Sequence, residues 1–203
     1  MSELFLFVRP PRPLWPFNSP ASAFWPPLAF ASMAAMLRRE LPDLRVEILD
    51  APALQMGWRS LTAELLRRQP AYVGIGEEAV SCVEGLRVAR LAREAGARVI
   101  AGGCFFGHVA PQALASGFID VVVHGEGELT LSELIQALRE KTSSALRTVR
   151  GISYRADNQA GCERPEEDTH VESGDEGPSD AGSTPAASTS HKGSDSLRAL
   201  FLA

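Results

Sequence analysis

The chain has 203 residues, 45% of them apolar and 22% charged, and carries a formal net charge of -5. That length accommodates one globular domain with or without a tail, and leaves little room for two full enzyme domains. No run of 18 apolar residues occurs, which argues against a membrane-spanning helix, and the opening MSELFLFVRPPRP lacks the basic start, apolar stretch and cleavage site of a signal peptide.

Along the chain, strand-like and helix-like runs alternate. Residues 4–8 (LFLFV) are continuously apolar, as expected of a strand buried on both faces. Residues 9–27 hold seven of the fourteen prolines together with Trp15, Phe17, Phe24 and Trp25. A loop of this length in a compact domain is functional or disordered. Its stiff backbone and flat rings either cover a planar ligand or partner surface, or cap the local core. Residues 28–41 predict a helix that stops before Pro42, residues 45–49 a strand, and residues 58–68 a helix with Leu61, Leu65 and Leu66 as its apolar positions. A third strand covers 72–75. The helix over 79–95 places Cys82, Val83, Leu86 and Ala89 at helical spacing, with Gly96 past its end. Residues 98–101 and 120–123 read as strands around a short helix at 110–116. Leu131, Leu134, Ile135 and Leu138 mark the buried stripe of a last helix, with Thr130 and Glu133 as a capping box, and 149–155 reads as a small edge strand.

Beyond that point the composition changes. From 156 to 196 the only large apolar residue is Val171, and ten Asp and Glu face only Arg164 and Lys192. Such a stretch buries too little surface to offset its ordering entropy, so disorder is expected over 156–203. Setting aside its charge of -8, and Arg198 beyond it, leaves residues 1–155 at +2, with no basic stripe for nucleic acid. Five strands with a helix after each imply right-handed crossovers and an α/β, doubly wound, five-stranded parallel sheet. The flavodoxin-like (Rossmann-like) order 2-1-3-4-5 suits a domain of 155 residues, with ligands beyond the carboxyl ends of the strands.

Those ends are rich in glycine. Gly74-Ile75-Gly76-Glu77-Glu78-Ala79 formally matches a dinucleotide fingerprint, but two carboxylates at a helix N-terminus oppose a pyrophosphate, and no acidic residue closes the next strand. The sequence favours a tight turn over NAD. Gly102-Gly103 and Gly125-Glu126-Gly127-Glu128 remove side chains at neighbouring strand ends and point to a binding crevice. The first loop begins RPPRP, which lacks the N–H groups of a flavin phosphate cradle and the acidic residues of a receiver domain. His108 and His124 read as hydrogen-bonded edge residues without metal-ligand partners, Cys82 as packing, and Cys104 as the thiol within reach of the crevice. The three cysteines (82, 104 and 162) are odd in number and widely spaced. They argue for a reducing, cytoplasmic setting and supply neither a zinc ribbon nor a cysteine-ligated iron–sulfur centre. No Ser–His–Asp or paired-carboxylate arrangement assembles, so no catalytic residue is assigned.

Taken in order, VRPPRP, AAMLRRE, VEILDA, YVGIG, LARLAREAGARVIAGG, DVVVHGEGELTLSELIQAL and VRGISYR resemble the N-terminal cobalamin-binding domain of cobalamin-dependent radical SAM enzymes, over about residues 4–155. The resemblance implies a flavodoxin-like fold that holds cobalamin at the carboxyl edge of the sheet, the nucleotide tail entering between sheet and helices. By position, Pro10, Pro11, Gly76, Glu77, Gly102, Gly103, Gly125, Glu126 and Gly127 are the implied cofactor-binding residues. Glu77 and Glu78 depart from the small hydroxyl residues common in that loop of the family. The resemblance also implies cobalt without a protein histidine. No DxHxxG follows the first strand, and Asp168-Thr169-His170 imitates only its beginning, since position 173 is serine. The iron–sulfur motif CxxxCxxC of such enzymes has no counterpart here. The expectation is therefore a cobalamin module without its own catalysis: stand-alone, truncated, or serving a separate radical SAM chain, with neither nucleic acid nor membrane as partner. The alternative is a degenerate domain acting in protein interaction through the Pro-rich loop and acidic tail.

Overall fold

A computed structural model of the chain describes residues 3–11, 26–76, 81–140 and 143–155. The expectations for most of the Pro-rich loop and for the acidic tail lie outside the described residues. β1 (Leu4–Arg9) runs parallel between β2 (Arg45–Asp50) and β3 (Tyr72–Gly76). β4 (Arg98–Gly102) and β5 (Val121–Val123) continue the parallel sheet, and β6 (Ile152–Tyr154) adds to β5 antiparallel. The order is β2-β1-β3-β4-β5-β6. It contains the expected 2-1-3-4-5, but the count of five is corrected to six, because the edge strand read over 149–155 joins the sheet. Gly151, at φ +73°, turns the chain back, and its carbonyl accepts the His124 N–H at 2.8 Å, which covers what would otherwise be an open edge of β5.

The helices are α1 (Leu28–Glu40), α2 (Trp58–Arg68), α3 (Cys82–Glu94), α4 (Gly103–His108), α5 (Ala110–Ala115), α6 (Gly127–Glu140) and α7 (Ser143–Leu146). Period-two alternation divides β1 between two cores. Leu4, Leu6 and Val8 pack with Leu61 and Leu65 of α2 and with Leu86, Val88 and Ala89 of α3. Phe5 and Phe7 face the other way, onto Phe30, Ala34 and Leu37 of α1 and Leu131, Leu134 and Ile135 of α6. The sheet therefore has a mainly aliphatic face under α2 to α5, with Phe106 buried in it, and, along β1, an aromatic face under α1 and α6.

Helix ends follow local chemistry. α1 stops before Pro42 and α3 before Gly96, whose φ of +86° a left-handed cap requires. Three local expectations are corrected. α4 occupies a stretch read as loop, held by fully buried Phe106. Val83 and Leu66 lie beside their helices' buried stripes and are 54% and 56% exposed. α6 begins at Gly127, so Thr130 sits inside the helix and forms no capping box with Glu133. Among the described residues, no helix is long and apolar enough to cross a membrane.

A surface ion network ties α2 to β2. Glu64 accepts from Arg67 at 2.6 Å and from Arg68 at 2.7 Å, and Arg68 also reaches Glu47. Hydrogen bonds from Arg67, then Arg68, hold the Glu64 carboxyl at about 2 rather than 4.5.

Two outcomes follow. Leu134→Ala, at a fully buried site between α6 and the sheet, is expected to lower unfolding free energy by about 2–5 kcal/mol in urea melts. Because the folded Glu64 pKa is depressed, its contribution is complete above pH 4.5 and is lost as pH falls toward 2. Glu64→Gln should therefore lower Tm slightly at neutral pH, with the difference from the parent closing across that window.

Candidate functional site

The site begins with what strand-end glycines leave open. A Cβ on Gly74 would lie 2.8 Å from Phe5 Cε1 and 2.9 Å from Phe7 Cδ1, so the β1 rings lie directly over β3. The Phe5 and Phe7 centroids are 4.6 Å apart, and Phe7 stacks on Phe30 of α1 at 5.0 Å and 28°. Nearer the carboxyl edge, a Cβ on Gly76 would come within 3.1 Å of Phe30, and one on Gly127 within 3.0 Å of Met33 Sδ. Missing side chains on strand and helix thus preserve a cavity of about 170 Å³ between the sheet and α1 with α6.

Its deep walls are Phe5, Phe7, Phe30, Ile100, Val123 and Leu131, with Met33 beside α6. Glu126 and Glu128 are the lining side chains that carry oxygen. Ser32 Oγ donates to Glu128 Oε1 at 2.9 Å, linking α1 to the first turn of α6. Leu28 and Leu129, at the beginnings of the same helices, are exposed. The arrangement suits a flat apolar group inserted edge-on, with polar substituents left at the helix N-termini.

Of the residues expected to bind a cofactor, Gly76, Gly102, Gly103, Gly125, Glu126 and Gly127 line this cavity. Pro10 and Pro11 are buried but do not line it, and Glu77 lies outside the described residues. The aromatic and methionine walls were missed. The alternation in LFLFV, which puts Phe5 and Phe7 on one face, and the three-residue spacing of Phe30 and Met33 were the signals available. Cys104 is exposed on α4 and is not part of the lining, contrary to its expected reach into the crevice, whereas Cys82 is buried in the core. His124 Nε2 is 2.8 Å from Ser153 Oγ, and His108 Nδ1 is 2.6 Å from the Cys104 carbonyl, so both are hydrogen-bonded residues. Among the described residues, no group of three or more His, Cys, Asp or Glu is placed to hold a metal ion.

No protein-family model matches the chain. An uncharacterized methyltransferase of Pyrococcus horikoshii is 29% identical over 143 residues, which is 69% of this chain and 30% of that protein. The radical S-adenosylmethionine methyltransferase TsrM from Kitasatospora setae, solved with cobalamin and a 4Fe–4S cluster bound, superposes with a TM-score of 0.63 at 24% identity. The match covers 81% of this chain and 31% of TsrM. The cobalamin-dependent S-adenosylmethionine radical enzyme OxsB superposes with a TM-score of 0.52 at 20% identity, over 81% of this chain and 22% of that one. The chain thus spans less than a third of the length of each, and at these identities the structural likeness establishes a shared fold.

Gly125 connects β5 to α6 at φ +63°, and a Cβ there would meet nothing within 4 Å. Its role is conformational, so Gly125→Ala should cost about 1 kcal/mol and Gly125→Asn less, measured by urea denaturation.

Proposed function

We propose that the chain is a cobalamin-binding module related to radical SAM methyltransferase-type enzymes. It presents the corrin at the carboxyl edge of the sheet and admits the nucleotide tail between the sheet and α1 with α6. The observation that carries this reading is the cavity itself. It opens at the carboxyl edge, it has apolar walls, and side chains at Gly76 or Gly127 would intrude on it. Apolar cavities of roughly 150 Å³ admit a benzene ring, so one of about 170 Å³ takes the edge of an aromatic base with a small parting of α1 from α6. The ordered sequence motifs and the fold shared with cobalamin-bound TsrM support the same reading.

In this reading, Gly76, Gly102, Gly103 and the 125–127 turn meet the cofactor through backbone, and Phe7, Phe30 and Met33 enclose the tail. Glu77, Pro10 and Pro11 complete the family's pattern by position only. Bound cobalamin supplies a cobalt centre able to carry a one-carbon group, and the protein's part is to hold and orient it. His108 Nδ1 meets the Cys104 carbonyl and His124 Nε2 the Ser153 hydroxyl, and cobalt held without a protein histidine is what the family resemblance implies. Catalysis then depends on a separate iron–sulfur, SAM-cleaving chain or segment, with this domain, residues 1–155, acting as cofactor holder in the cytoplasm.

Hydroxocobalamin mixed with the purified chain and passed through a desalting column should remain bound near one equivalent, read from the corrin visible bands. Gly76→Val should abolish retention with an unchanged far-UV circular dichroism spectrum. Colourless eluates from the parent protein, aerobically and anaerobically, would overturn the reading.

A further inference from the structure

We infer that the cavity discriminates among cobamides by their lower base, accepting a hydrocarbon-edged benzimidazole and disfavouring a purine. This rests on the cobamide reading above and goes beyond it by assigning the selecting residues. The walls are the rings of Phe5, Phe7 and Phe30, the thioether of Met33, and the aliphatic Val123 and Leu131. None offers a strong hydrogen-bond donor or acceptor. The strand backbone along the floor is engaged as well: Gly74 and Gly76 are in ladder register with Ile100 and Gly102 on β4, and Gly74 with Phe7 on β1. Among the described lining residues, side-chain oxygens come only from Glu126 and Glu128 at the beginning of α6, and Glu128 already accepts the Ser32 hydroxyl.

A base entering this space loses water along its edge. The methyl-bearing edge of 5,6-dimethylbenzimidazole gains from that transfer and meets the Phe7–Phe30 stack. The exocyclic amine and additional ring nitrogens of adenine lose their water partners, and the ring, thioether and aliphatic walls offer no side-chain group to replace them, the costlier case for a buried polar group. A site built without matching polar groups thus selects by leaving the wrong ligand's polar atoms unpaired. Met33 is the wall residue best placed to change this. It is partly buried and packs beside Gly127, so a polar side chain of similar length fits there without disturbing the core.

Equilibrium dialysis of the full chain against three hydroxo-cobamides tests the inference: cobalamin, the adenine-tailed analogue, and tail-less cobinamide. Cobalamin should bind at least tenfold more tightly than the adenine-tailed form and more tightly than cobinamide. Met33→Gln, which offers an amide to the base, should reduce the cobalamin-to-adenine ratio at least threefold. Equal affinity for the two tailed forms overturns the selectivity while leaving the cobamide reading intact. Cobinamide binding as tightly as cobalamin, or an unchanged ratio in Met33→Gln, overturns the role given to the cavity walls. Failure of all three to bind removes the cobamide reading and this inference with it.

Discussion

Gly74 has no room for a side chain, because the space above it is filled by Phe5 and Phe7 from the neighbouring strand. The rest of the site depends on that contact. With the β1 rings, tilted 45° to each other, packed over Gly74 of β3, the α1 side of the sheet acquires an aromatic centre on which Phe30 stacks, and this sets how closely α1 approaches. The cavity forms where the ring stack ends and Gly76, Gly102 and Gly127 continue without side chains. A larger residue at position 74 would displace two fully packed rings and move α1 away from the sheet, so the core and the crevice share one steric requirement.

Much of the fold was legible because its signals are local. The apolar run of β1, the helical stripe of α2 and the glycine after α3 each encode their element within a few residues, and α2 has the bounds the periodicity predicted. What escaped depended on distant partners. α4 contains Gly103 and Gly107, which local propensity places in a loop, but burial of Phe106 against the sheet holds the turn helical. Val83 and Leu66 are apolar yet exposed, since one step around a helix separates the buried stripe from solvent. β6 was legible as a strand, but its membership of the main sheet follows from the Gly151 turn and its bond to His124.

The candidate site divides in the same way. Its glycines could be found from sequence because strand ends in a doubly wound sheet have predictable positions. Its walls could not, because Phe30, Met33 and Leu131 arrive from helices widely separated in the chain and meet only through the parallel topology. Pro10 and Pro11, expected from their position in the family's pattern, are buried and are not among the residues that line this cavity. The resulting picture is an apolar slot with acidic side chains at one end. Glu126 and Glu128 line the slot at the beginning of α6, Leu28 and Leu129 are exposed at the beginnings of α1 and α6, and the interior offers chiefly shape and burial.

The central claim is that a cobamide tail enters between the sheet and α1 with α6. Amide chemical-shift mapping with diamagnetic Co(III) cobalamin tests it most directly. The account predicts large shifts at Gly74, Gly76, Gly102, Gly127 and the first turns of α1 and α6, with α2 and the amino ends of the strands unchanged. Shifts confined to the α2–α3 face, or absent from the cavity glycines while cobalamin is bound, would contradict it.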